Sequence, residues 1–139
     1  MDTTLGIDLG TQSLKVVFYD YKARKVVASA SAPLEVMRDA SGRAEQEASW
    51  WLLALKQALE QVSESVRMSA RAVAVSGQQH GFVPVDAKGE VLHAVKLWCD
   101  TSTQQEADEI MDACGGRENC VALAGNPVLT GYTAPKIRW

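Results

Sequence analysis

The residues best suited to chemistry form a run near the start of the chain, Gly6-Ile7-Asp8-Leu9-Gly10-Thr11-Gln12. A glycine-containing turn lets backbone N–H groups approach phosphate oxygens closely, and a threonine hydroxyl adds one more donor. Asp8 falls where the turn begins. A carboxylate beside phosphate is repulsive unless a cation lies between them, so its chemical use there is to hold Mg²⁺, directly or through waters. Lys15 follows closely and can add positive charge near a transferred phosphoryl group. The plainer reading is a hairpin whose Asp and Gly only make the turn, and spacing alone weighs the two readings evenly. The run is not a Walker loop, since G-x-x-x-x-G-K-[ST] occurs nowhere in the chain.

Later segments carry other chemistry. Gln78-Gln79-His80-Gly81 is a polar stretch at the end of an apolar one, and its amides and imidazole offer the mixture of donors and acceptors that a polyol requires. The alternative is a hairpin edge with a solvated His80. Trp98 and Asp100 bracket another strand end, where Asp100 can accept hydrogen bonds from sugar hydroxyls and Trp98 can wall the carbon face. Equally, Asp100 can be the acidic residue that a following helix dipole favours. Lys136 either pairs with a carboxylate or is a surface charge. Trp50-Trp51 belongs to a core, and His93 to a surface hairpin without an identifiable partner.

These residues need elements to position them. Thr4 to Leu9 and Leu14 to Tyr19 read as two strands joined by a tight turn, and Lys25 to Ser31 as a third, giving an antiparallel meander. Pro33 to Ala44 loses periodicity and reads as loop. From Ser49 to Val66 the apolar positions Trp51, Leu55, Ala58, Leu59, Val62 and Val66 fall at helical spacing. Arg71 to Ser76 reads as a short buried strand. Gly81 to Val85 and Val91 to Trp98 flank Asp86-Ala87-Lys88-Gly89 as a hairpin. Ser102 and Thr103 stand three residues before Gln105 and Glu106, the capping-box spacing, so a second helix is expected there, with Ala107, Ile110, Met111 and Cys114 on its apolar face and Gly115-Gly116 at its end.

The chain has 139 residues, 47% of them hydrophobic and 22% charged, with a net charge of −3. No apolar run approaches the roughly 18 residues that cross a bilayer, and no basic stripe offers the footprint of nucleic-acid binding. The start lacks the basic and apolar regions of a secretory signal, so a cytoplasmic location is expected. Cys99, Cys114 and Cys120 have neither an even count nor C-x-x-C spacing, which argues for reduced thiols rather than disulfides or zinc. The end at Pro135-Lys136-Ile137-Arg138-Trp139, with an apolar residue last, is read as that of a piece of a longer protein.

The motifs together carry a resemblance. G-x-D-x-G-T between two strands resembles the first phosphate loop of the actin-like ATPase superfamily. Glu45-Gln46-Glu47 ahead of Trp50-Trp51, Ser76-Gly77-Gln78-Gln79-His80-Gly81, Leu97-Trp98-Cys99-Asp100-Thr101 and Gly131-Tyr132-Thr133-Ala134-Pro135-Lys136 narrow it. In that order they resemble the FGGY carbohydrate kinases over the whole chain, and the second and last look most like the xylulokinases among them.

The resemblance implies an α/β fold, the first portion of a ribonuclease-H-like domain with a mixed sheet flanked by helices. Residues 1–139 would then be an incomplete N-terminal kinase domain, its remainder and a C-terminal domain lying outside the chain. It further implies ATP-dependent phosphorylation of a ketopentose, D-xylulose to D-xylulose 5-phosphate, with ATP and Mg²⁺ as cofactors. A kinase of ribulose, gluconate or glycerol is the nearest alternative, and an actin-like nucleotide switch a more distant one. By resemblance Asp8 has the metal and phosphate role, Gly10, Thr11, Gln12 and Lys15 face the nucleotide, and Gln79, His80, Trp98 and Asp100 face the sugar. Gln79 stands where Met is frequent and Cys99 where Asn is, and Cys99 is given no chemical role. The family's catalytic base is an Asp later in the domain and its adenine pocket belongs to the second domain, so the chain alone is expected to be inactive. The expected partners are sugar and ATP, with neither nucleic acid nor membrane, and a homodimer of the complete protein stays open.

Overall fold

The computed structural model describes residues 2–139. In chain order the elements are β1 (Thr3–Leu9), β2 (Ser13–Asp20), β3 (Lys25–Pro33), β4 (Met37–Arg38), β5 (Ala44–Gln46), α1 (Ala48–Glu60), α2 (Glu64–Arg67), β6 (Ala70–Gly77), β7 (Val95–Lys96), α3 (Gln104–Ala113), α4 (Arg117–Ala124) and α5 (Thr133–Arg138). They divide into two compact units. One runs up to Glu35 and resumes over Ala48–Gln78, and the other takes Val36–Glu47 and Gln79–Trp139.

The first unit is a four-stranded sheet in the order β3-β2-β1-β6. The expected meander is present: β1 pairs antiparallel with β2, and β2 with β3. β6 returns parallel to β1, which makes the sheet mixed. Period-two alternation directs Leu14, Val16 and Phe18 of β2 to one face. There they meet Leu5 and Ala32 and the α1 stripe, of which Ala54 and Ala58 are innermost. Trp50, Trp51, Leu55 and Leu59 pack around them half-buried. The helix expected to reach Val66 stops at Glu60, because Ser63 adopts an extended backbone (φ −58°, ψ 146°) and its carbonyl accepts from Val66 and Arg67 to start α2. The break leaves the stripe intact, since Val62 is still buried and Val66 packs beside it.

β6 departs from expectation in burial. Its residues from Arg71 onward are exposed, with Val73 at 61% and Val75 at 70%, because α1 lies over β2 and β3 and β6 has a strand only on its β1 side.

The second unit holds a small sheet in the order β4-β5-β7. β4 and the first residue of β5 lie in the stretch read as loop, where strands of two or three residues are too short to show alternation, and β7 lies in the second arm of the expected hairpin. The hairpin around Asp86-Ala87-Lys88-Gly89 forms, with Asp86 Oδ1 accepting from the N–H groups of Lys88 and Glu90 and Gly89 taking a positive φ of 84°. Its arms meet mainly at Val85–Val91 and Phe82–Lys96. α3 ends as expected, Gly115 and Gly116 returning N–H bonds to Asp112 and Met111. Its start differs: no capping side-chain bond forms, Ser102 turns instead to Asp100, and the Thr103 hydroxyl is buried without a partner. α4 and α5 carried no sequence signal strong enough to be foreseen.

Candidate functional site

In the first unit, β1 and β6 run parallel and end together, Leu9 opposite Gly77. The carboxyl ends of parallel strands are where open sheets bind ligands, since the chain must leave the sheet there and exposes backbone donors. The turn is tight: the Gly10 N–H donates to the Ser13 carbonyl at 3.0 Å, and a Cβ on Gly10 would stand 3.1 Å from that oxygen. Glycine therefore keeps the turn free of side chain on its inner side. Gln12 fixes the turn to the following sheet edge, its carbonyl accepting from Leu34 N–H at 2.8 Å.

Asp8 occupies the last outward position of β1, directly opposite Lys15 of β2 and Ser76 of β6. Opposed residues share a face of the sheet. For these it is the face away from α1, where Asp8, Lys15, Gly6 and Ser76 are exposed. A shallow hollow of about 280 Å³ lies on it, lined by Gly6, Ile7, Asp8, Val17, Ala74, Val75 and Ser76. Among the described residues no hydrogen bond or ion pair engages the carboxylate of Asp8 or the ammonium of Lys15. Thr11 does not present a free hydroxyl: its Oγ1 donates to Gln78 Oε1 at 2.9 Å. That bond ties the turn to the end of β6 and engages the Gln78 amide oxygen within the chain.

In the second unit the chain continues into Gln79 and His80, both exposed. His80 takes a left-handed φ of 61°, a conformation non-glycine residues adopt rarely and at some cost. Its ring lies against Tyr132, with centroids 5.0 Å apart and planes at 38°. Tyr132 was part of a quoted motif, and its contact with His80 carried no signal in the sequence. Trp98 is half-exposed at 51%.

Asp100, by contrast, is completely buried. Its Oδ2 accepts from Ala44 N–H at 2.7 Å, and its Oδ1 from Ser102 N–H at 3.0 Å and Ser102 Oγ at 2.6 Å. Lys96, 3% exposed, donates from Nζ to Glu45 Oε1 at 2.9 Å and to Ser102 Oγ at 3.0 Å, and lies 3.8 Å from Asp100. The same ammonium sits 4.0 Å from the centroid of the Trp139 ring. His93 is also partnered, its Nδ1 2.7 Å from the Ala94 carbonyl and its ring edge-on to Trp139. Lys136 is neither solvated nor paired with a carboxylate: it is buried and donates to two backbone carbonyls. Sequence reasoning missed Lys96, because a lone lysine in an apolar run resembles a surface position.

The donor set fits a magnesium–phosphate group at the turn rather than a metal held by protein alone. Among the described residues no three His, Cys, Asp or Glu side chains converge on a common point. Mg²⁺ commonly takes one or two carboxylates and fills its other positions with phosphate oxygens and water. Asp8, exposed and unengaged beside a glycine turn, has the position such a carboxylate would need.

Residues 3–139 match the model of the FGGY family of carbohydrate kinases, N-terminal domain, and the chain belongs to that family. It is 38% identical over 142 residues to the xylulose kinase of Haemophilus influenzae, covering 97% of this chain and 29% of that protein. Its fold superposes on a xylulose kinase from Brucella ovis with a TM-score of 0.88 and 34% identity, over 99% of this chain and 28% of the other. A gluconate kinase from Lactobacillus acidophilus shares the fold, with a TM-score of 0.82 at 21% identity, over 99% of this chain and 28% of that one. The expected α/β fold of the actin-like superfamily is thus present. The chain spans under a third of the length of the curated relatives it matches.

Proposed function

We propose that this chain supplies the phosphate-facing turn and part of the sugar-facing wall of an ATP-dependent ketopentose kinase, with D-xylulose as the substrate. The observation that carries the reading is the free, exposed Asp8 carboxylate at the joint carboxyl end of β1 and β6, beside a turn where a side chain on Gly10 would crowd the Ser13 carbonyl. Xylulose kinases among its relatives supply the substrate class.

In phosphoryl transfer the protein positions the reactants and stabilises charge, and there is little covalent chemistry for it to do. The Gly10-Thr11-Gln12 turn, closed by the Gly10 N–H on the Ser13 carbonyl, faces the phosphates. Asp8 holds Mg²⁺, which neutralises charge on the phosphate oxygens when bound. Lys15 adds positive potential on the same face. Gln79 and His80 donate to and accept from sugar hydroxyls, and Trp98 covers the carbon face. Asp100 takes part in the sugar site by fixing the turn that carries Trp98, since its own oxygens are engaged within the chain.

The base that takes the hydroxyl proton and the adenosine pocket are assigned to the portion of the kinase beyond these residues. Orientation contributes roughly 7–11 kcal/mol to such a reaction, so the chain alone does not turn over. The test is a graft in which this chain replaces the matching segment of the Haemophilus influenzae xylulose kinase, followed by ADP release with Mg²⁺, ATP and sugar. Release that depends on xylulose and exceeds that with ribulose, gluconate or glycerol supports the reading. Preference for one of the other polyols moves the substrate, and ATP hydrolysis indifferent to any sugar defeats the kinase reading.

A further inference from the structure

Lys136 is a lysine sealed from solvent in α5, a residue type rarely buried unless its charge is satisfied. Its Nζ donates to the carbonyl oxygens of Thr130 at 2.8 Å and of Tyr132 at 2.9 Å. Between those carbonyls lies Gly131, packed so closely under the Trp98 carbonyl that a Cβ on it would stand 2.8 Å from the oxygen. The Tyr132 ring then rests against the His80 ring. One short segment thus touches both Trp98 and His80, and a buried ammonium grips it from behind.

We propose that Lys136 is a positioning residue for the sugar-facing wall: by holding the Thr130 and Tyr132 carbonyls it sets where Trp98 and His80 stand. What those residues face rests on the kinase reading above, whereas the coupling among them rests on geometry alone. Bonds from a charged donor are about twice as strong as neutral ones, so the grip depends on the ammonium being protonated. Burial pulls its pKa down to about 8, Asp100 and Cys99 opposing the fall and Lys96 adding to it. Raising the pH through that value leaves an amine that donates more weakly to the same carbonyls.

The first test uses the chain itself, labelled for NMR and carried from below to above pH 8. The Trp98 indole N–H and Tyr132 ring signals are expected to move with the midpoint of the Lys136 Cε signal, while Phe18 in the other unit stays still. In Lys136→Arg, whose guanidinium keeps its charge, that movement disappears. In Lys136→Met both signals are displaced at every pH. Signals of Trp98 and Tyr132 that ignore the Lys136 midpoint and are unchanged in Lys136→Met overturn the proposal whatever the substrate is.

The second test uses the graft. Lys136→Met is expected to raise the xylulose KM about tenfold with the ATP KM unchanged, and Lys136→Arg to recover most of the loss. Equal xylulose KM in the parent and Lys136→Met grafts overturns the positioning role even where the NMR coupling holds. A parent graft that uses no sugar defeats the kinase reading, and the NMR result then decides the coupling.

Discussion

The two units bury different things. The sheet unit encloses hydrocarbon: Leu14, Val16, Phe18, Ala54 and Ala58 are its innermost residues. The second unit encloses charge beside its hydrocarbon: Glu45, Lys96, Asp100 and Lys136 are all at 3% exposure or less, along with buried Val95 and Leu97. Burying hydrocarbon is favourable in itself, about 1.5–3 kcal/mol for a large side chain, and asks only for fit. A buried charge is tolerated only while its partner is present, and losing the partner costs more than the pair contributed. The unit that carries the Gly10 turn is therefore held by shape, and the unit that carries His80 and Trp98 depends in addition on paired buried ions.

The largest expected effect leaves both frameworks alone. Asp8→Asn in the graft should lower xylulose-dependent ADP release by about two orders of magnitude or more, the scale of the charge stabilisation a metal ion provides. Because Asp8 is exposed and unengaged, amide exchange protection of β1 and β2 should stay as in the parent. Next come the two frameworks themselves. Phe18→Ala, by leaving a cavity, and Lys96→Met, by stranding Glu45 and Asp100, should each cost about 3–5 kcal/mol in denaturant unfolding. Hydrogen exchange should localise the first loss to β1–β3 and the second to β5 and β7. A Lys96→Met chain as stable as the parent would erase the contrast.

Smaller effects sharpen the same contrast. Gly131→Ala should cost about 1–3 kcal/mol, since its Cβ would meet the Trp98 carbonyl, and its thermal unfolding should show it. The folded pKa of Lys136, about 8, lies below its ordinary value of 10.5. The unfolded chain therefore binds more protons between those values, and this residue makes stability rise with pH across that window. The rise should be on the order of 1–3 kcal/mol, read as the difference between parent and Lys136→Met at the two ends of the window. Glu109, at the surface, is held below the usual carboxylate range by Gln105 and Arg138. Glu109→Gln should leave the melting temperature unchanged, as expected for a surface pair.

The same contrast decided what could be read from sequence. Hydrocarbon burial leaves periodicity, so β1, β2, β3 and the start and apolar stripe of α1 were legible, and so was the turn at Asp8-Leu9-Gly10. Charge burial leaves none. Lys96 and Glu45 look like surface residues until the fold brings them to 2.9 Å, and Lys136 admitted only two readings, neither of them carbonyl capping. The capping box at Ser102 and Thr103 failed in part for the same reason, the Ser102 hydroxyl being drawn into the Asp100–Lys96 cluster. Exposure of β6 was illegible because alternation reports which residues avoid water, and a run of Ala and Val avoids it whether or not anything lies over it.

The most direct test of this account is a residue-resolved NMR titration of the chain with Mg²⁺·ATP and, separately, with xylulose. The account predicts that Mg²⁺·ATP shifts the Gly10, Thr11 and Gln12 amides and the Asp8 side chain, weakly and only with the metal present, and that xylulose shifts Gln79, His80 and the Trp98 indole instead. Nucleotide shifts that leave the turn untouched, or that are identical in Asp8→Asn, would contradict it.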